Sequence, residues 1–134
     1  MKESRQAGFS LLGTMIAMAI LAILATIAVP KFHSAIAMAN TTKVKADLTT
    51  LDSAIAIYAT QKGRWPNQLG DLSDYVSDLD NLKPPQGKCQ LKDGKIVTIS
   101  AETYELKKEA AGIELDGEDC RAACAGYTAG DFGK

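Results

Sequence analysis

The 134-residue sequence has one histidine, one tryptophan and three cysteines, and its 15 basic side chains nearly balance its 16 acidic ones. The near-neutral balance argues against a protein that holds nucleic acid through a strong basic field. His33 has no acid close by in sequence, and the serines and cysteines have no visible base partner, so nothing supports an enzyme. The most informative absence is local. Between Phe9 and Pro30 there is not one charged residue. That gap excludes an ordinary soluble globule, and it excludes disorder at the front of the chain.

Phe9 to Val29 reads FSLLGTMIAMAILAILATIAV. As a helix it spans roughly 30 Å, the thickness of a bilayer core. Its polar members are Ser10, Thr14 and Thr26, whose hydroxyls a helix can satisfy on its own carbonyls. The run therefore reads as a transmembrane helix. Lys2, Arg5 and the chain's amino terminus precede it, with Glu3 the only acid among them. Positive charge stays cytoplasmic, so the C-terminal part is expected outside. A secretory signal peptide is the alternative, with Thr26-Ile27-Ala28 as its cleavage site, but the run exceeds the usual ~7–15 apolar residues of such a peptide.

A short basic leader ending in Gly8, then Phe9-Ser10-Leu11-Leu12, the apolar run to Val29 and Pro30, resembles the prepilin signal of type IV pilins and type II secretion pseudopilins. Gly63-Arg64-Trp65-Pro66-Asn67-Gln68-Leu69 is similar to the Gly-x-aromatic-Pro-x-x-Leu stretch that follows the long helix in that family. The resemblance implies that a prepilin peptidase cuts between Gly8 and Phe9 on the cytoplasmic face and methylates the new N-terminal Phe9. It implies storage in the bacterial inner membrane, then assembly through an inner-membrane platform into a filament with copies of itself or other pilins. One departure stands out. The family usually carries a glutamate four residues after the N-terminal Phe, and this chain has Gly13. A carboxylate in lipid is costly, and a neighbouring subunit's terminal ammonium can neutralise it. Gly13 cannot make that pair. It implies a minor or tip subunit, a tolerated variation, or close packing through a small residue.

Beyond Pro30 the pattern stays helical. Val44, Leu48, Leu51, Ile55 and Tyr58 form one stripe, with Lys43, Lys45, Asp47 and Asp52 off it. Gly63 and Pro66 stop the helix, so residues 10–61 are predicted as one helix, bent or locally melted at Pro30. Residues 67–81 are polar and acid-rich and fit a short helix or structured loop, and Pro84-Pro85 mark a break. Asp93-Gly94 between Lys88–Lys92 and Lys95–Ile99 predicts a hairpin with a type I′ turn, and residues 102–106 a third strand. The expected fold is α+β and pilin-like, a long helix packed on a small antiparallel sheet. Its parts are a leader (1–8), a transmembrane and filament-core helix (9–30) and an extracytoplasmic head (31–134). The head divides into an amphipathic helix (31–62), a connecting loop (63–87), a β-region (88–107) and an acidic, cysteine-bearing segment (108–134).

Cys89, Cys120 and Cys124 all fall in the part expected outside, where disulfides persist. One bridge is expected, with one thiol left over. Cys89 with Cys120 or Cys124 would close a loop worth roughly 3–4 kcal/mol, and Cys120 with Cys124 is the third option. Three cysteines without a suitable histidine make a poor zinc site. Asp116, Glu118 and Asp119, with Glu114, cluster around Gly117 and form an oxygen-rich loop that is a calcium candidate, with a solvated acidic loop as the alternative. Residues 125–134 are small and Gly-rich and read as mobile. The expected function is a filament subunit. A membrane-anchored or secreted extracytoplasmic binding module that does not polymerise is the alternative. Nothing in the sequence points to a nucleic-acid partner.

Overall fold

The computed structural model describes residues 3–108 and 120–133. One α-helix, α1 (Glu3–Lys62), occupies the N-terminal part of the chain. The chain divides into two compact units, Met1–Ala35 and Ile36–Lys134.

In the first unit, every described residue from Glu3 onward is helical. The helix starts before the expected Ser10, because a single Gly8 among helix-forming residues costs only about 1 kcal/mol. Helical geometry also continues through Pro30, where local melting was one expectation. The missing N–H removes one rung of the ladder, and the remaining turns hold. Thr14 Oγ1 donates to the Ser10 carbonyl (2.8 Å) and Thr26 Oγ1 to that of Ile23 (2.7 Å), as anticipated for hydroxyls in an apolar helix.

In the second unit the stripe is buried as expected, from Val44, Leu48 and Leu51 through Ile55 and Tyr58, and it extends back to Ala37 and Thr41. The helix ends where Gly63, at φ +68°, donates its N–H to the Ala59 carbonyl (2.9 Å). That left-handed cap suits glycine. Pro66 is buried beyond it, and Asp71 Oδ2 accepts from the N–H groups of Asn67 and Gln68 (2.9 and 3.2 Å) to open a 3-10 turn, Leu69–Leu72. A second 3-10 turn, Leu79–Asn81, follows. The expected structured connection is thus two single turns, anchored by buried Leu72 and Val76.

The β-region differs from its reading in three ways. The strands β1 (Gly87–Gln90) and β2 (Ile96–Ile99) do pair antiparallel, with Cys89 opposite Val97. Their turn is not type I′. That type needs positive φ at both central residues, and Asp93 is not among the described non-glycine residues with positive φ. Leu91 instead receives the Gly94 N–H (2.9 Å) and donates to the Lys95 carbonyl (2.8 Å), with Gly94 at φ +86° completing a three-residue loop. Second, the third strand is β3 (Glu105–Lys108), and it leaves the hairpin to form a separate sheet in the order β3-β4-β5 with β4 (Cys120–Cys124) and β5 (Tyr127–Thr128). Third, residues 125–133 are packed. Ala125 and Gly126 both take positive φ (51° and 83°), which is the I′ geometry that the hairpin lacks. The chain end then returns across β1. Leu91 bridges Phe132, Lys92 N–H donates to the Asp131 carbonyl, and Gly133 N–H donates to the Gln90 carbonyl. Phe132 is buried in the same core cluster as Leu48, Leu51 and Ile55.

Candidate functional site

The first candidate is the charge-free helix with the motif at its front. Leu11, Met15, Ile20, Leu24 and Val29 are each more than half exposed. An exposed apolar surface of this extent marks a lipid or protein contact. The helix is long and apolar enough to cross a membrane, and none of its most apolar stretch is buried. Gly8, Phe9, Gly13 and Pro30 all lie within α1. A Cβ added at Gly8 or at Gly13 would meet nothing within 4 Å. Neither glycine is therefore required by packing within this chain.

The second candidate is the helix–sheet seam of the head, where polar groups tie α1 to distant strands. Tyr104 Oη donates to Asp47 Oδ2 (2.6 Å), which also pairs with Lys43 Nζ (2.6 Å). Asp52 Oδ1 accepts the Ala122 N–H (2.8 Å). Thr41 Oγ1 donates to the Ala37 carbonyl (2.6 Å) and accepts the Gln90 N–H (2.7 Å). Burial, then the hydrogen bond to Asp47, hold the Tyr104 phenol well above its ordinary range. These four residues were missed as positioning groups. Asp47 and Asp52 stand at the margins of the buried stripe, next to Leu48 and Leu51, and that margin was the available signal.

Burial also pushes the Asp52 carboxyl upward, with the Ala122 N–H and the Arg121 charge opposing it. The folded state then binds this proton more tightly than the unfolded chain. From the unfolded value, about 4, up to the folded one, stability falls as pH rises. Asp52→Asn keeps an acceptor and removes the charge. In urea titrations of the chain in detergent, the wild type is expected to lose stability relative to Asp52→Asn as pH rises through this window. A constant difference, or one of opposite slope, contradicts this account.

The three cysteines are buried, unbridged thiols in the structure, so the expected bridge is not formed there. Each thiol is pushed up mainly by burial, Cys124 to about 11. Lys108 pulls Cys120 down and Asp52 pushes it further up. A thiol held protonated in this way is a poor nucleophile. The calcium candidates Asp116, Glu118 and Asp119 lie outside the described residues. Among the described residues, no three His, Cys, Asp or Glu side chains converge as metal ligands. Two open clefts of about 340 Å³ flank the head helix, one lined by Met38, Thr41, Lys45 and Gln90, the other by Asp52, Trp65, Cys120 and Arg121. The Trp65 indole N–H is buried beside the second with no partner among the described residues.

Residues 4–29 match the family model for the prokaryotic N-terminal methylation motif. The chain is 30% identical to a type II secretion system core protein G of Klebsiella michiganensis, over 72% of this chain and 66% of that one. It is 35% identical to the protein of the same name from Aeromonas hydrophila, over 58% and 54%, and 31% identical to that of Dickeya chrysanthemi, over 70% and 60%. The chain thus spans about half to two thirds of the length of these relatives. No solved structure matches it. The methylation motif falls on the front of the exposed apolar helix, the relatives share a name, and the head packs a helix on small antiparallel sheets: this chain belongs to the type IV pilin and type II secretion pseudopilin family.

Proposed function

We propose that this chain is a non-enzymatic structural subunit of a secretion pseudopilus or a related pilus. Prepilin peptidase cuts it between Gly8 and Phe9 and methylates Phe9. The apolar helix then waits in the inner membrane, with Lys2 and Arg5 originally on the cytoplasmic side and the head outside. An assembly platform transfers it into a filament of like subunits. The observation that carries this reading is the exposed, charge-free stretch of α1 that makes up most of the methylation motif. In lipid that face meets acyl chains, and in a filament it meets the same face of other copies through close van der Waals packing. The relatives are named for a type II secretion system, which favours a pseudopilus over an adhesive or motile pilus. Intact mass and N-terminal sequencing of the mature chain test it. A methylated Phe9 at the terminus is expected. A start near Val29, or an intact Met1, overturns it in favour of a secreted or anchored module.

Gly13 favours a second, narrower reading, a minor or tip subunit. A subunit at the tip has no subunit above it, so it has no terminal ammonium to neutralise. Gly13→Glu has room for its side chain within this chain. On the tip reading it is expected to lower incorporation, because an unpaired carboxylate then sits in an apolar environment. Filament yield that is unchanged or raised removes the argument for the tip.

A further inference from the structure

The structure selects among the three possible cysteine pairs. Cys120 and Cys124 stand at the two ends of β4. Four residues of strand separate their Cα atoms by about 13 Å, and a disulfide needs about 7 Å or less. That pair is excluded. Cys120 opens on the cleft lined by Thr49, Asp52 and Ala56 of α1. Cys89 lies at the level of Thr41, whose hydroxyl accepts the N–H of the adjoining Gln90. Thr41 and Asp52 are eleven residues apart on one helix, about 16 Å along its axis. Cys89 and Cys120 therefore sit at opposite ends of the seam.

Cys124 is different. Past Ala122, which is fixed on Asp52, β4 runs on to Cys124 and turns through β5 to Phe132 and Gly133, which pair with Leu91 and Gln90 beside Cys89. Cys89 and Cys124 are both fully buried, in the core cluster that also contains Tyr104 and, at its other end, Cys120. Tyr104 bonds Asp47, midway between Thr41 and Asp52 on the helix. We propose that Cys89 and Cys124 are the pair that forms a disulfide, and that Cys120 stays a free thiol.

The bond would link the β1–β2 hairpin to the β3–β5 sheet across the core, which the structure otherwise joins through the returning chain end. Its formation removes two protons and two electrons from the two thiols. The acceptor is the disulfide of a thiol–disulfide oxidoreductase or of oxidised glutathione, which leaves as two thiols. Charge on Cys89 is among the causes that raise the Cys124 thiol, after burial. Few thiolates are therefore present at neutral pH, and exchange in the folded head is slow. The bond is expected to close while the head folds. This inference rests on the proposed placement of the head on the oxidising side of the membrane.

The full chain, isolated from its membrane without reductant and alkylated in denaturant, is expected to carry one alkylated cysteine and a cross-linked peptide joining Cys89 to Cys124. Cys120→Ala is expected to keep the cross-link, and Cys124→Ala to lose it. A bridge through Cys120 overturns the pairing. If three thiols are alkylated instead, the purified chain is incubated with oxidised glutathione in alkaline buffer with moderate urea. Closure of Cys89–Cys124 there overturns the outside placement and keeps the pairing. Failure to close there overturns the pairing itself.

Discussion

Replacing Gly8 with valine is expected to leave the whole population of the chain uncut, unmethylated and outside any filament. The reasoning begins with what the substitution does not do. Gly8 is exposed near the N-terminal end of α1, and a Cβ there meets nothing within 4 Å. Valine is also a better helix former than glycine. The precursor should therefore fold and insert as before, and the loss arises where a peptidase must admit the backbone at a residue with no side chain. The filament follows from the cut. An uncut subunit carries Lys2, Glu3 and Arg5 at the front of its apolar helix. Each such charge costs about 2.5–3.5 kcal/mol deep in an apolar helix environment, which is too much for a filament core. Intact mass of the membrane-extracted chain reads the result directly, with the full leader present and no added methyl. Normal processing of Gly8→Val would mean that the Gly8–Phe9 junction is not what is cut. A product that starts near Val29 would mean that an ordinary signal peptidase acts.

The methylation motif was visible in the sequence because it is a local signal, a short leader ahead of a run with no charge. The stripe from Val44 to Tyr58 was visible for a similar reason, since burial on a helix imposes a period that needs no knowledge of the partner. The polar seam was not. Asp47 meets Tyr104 57 residues away, and Asp52 meets Ala122 70 residues away. A carboxylate at the edge of an apolar stripe looks like a solvated one until its partner is placed. Turn chemistry was half visible. Asp93-Gly94 marked the hairpin correctly but not the loop type, because only Gly94 takes a positive φ. The β4–β5 segment gave the weakest signal. Ala122 is fully buried in the core cluster yet carries little hydropathy, because a small side chain there lets β4 approach the helix closely. The charge-free run also has a narrower meaning in the structure. Its side chains are left open along the helix, so its lack of charge is a property of a surface that something else must cover.

Phe132→Ala is expected to destabilise the head by about 3–5 kcal/mol, the usual cost of removing a buried aromatic ring. Against a total of about 5–15 kcal/mol for a native domain, that is enough to populate the unfolded head in a chain this small. Phe132 is 1% exposed, the bulkiest of the fully buried side chains. Its ring packs edge-on to Tyr127 at 6.0 Å. Its backbone bridges Leu91, flanked by the bonds from Lys92 to Asp131 and from Gly133 to Gln90. Loss of the ring therefore opens a cavity at the point where the two sheets are stitched together. Urea titration of the chain in detergent, followed by Tyr and Trp fluorescence, should show an earlier midpoint. Protease should cut the β5 segment first, since its anchor is gone. Phe132→Leu keeps most of the volume and is expected to recover more than half of the loss. A shift below about 1 kcal/mol in the alanine variant would mean that residues 125–133 are a loose tail and that the core closes without them. The outcome also bears on the disulfide. If the stitch is as strong as its burial implies, the thiols of Cys89 and Cys124 are held in one core before any oxidant acts.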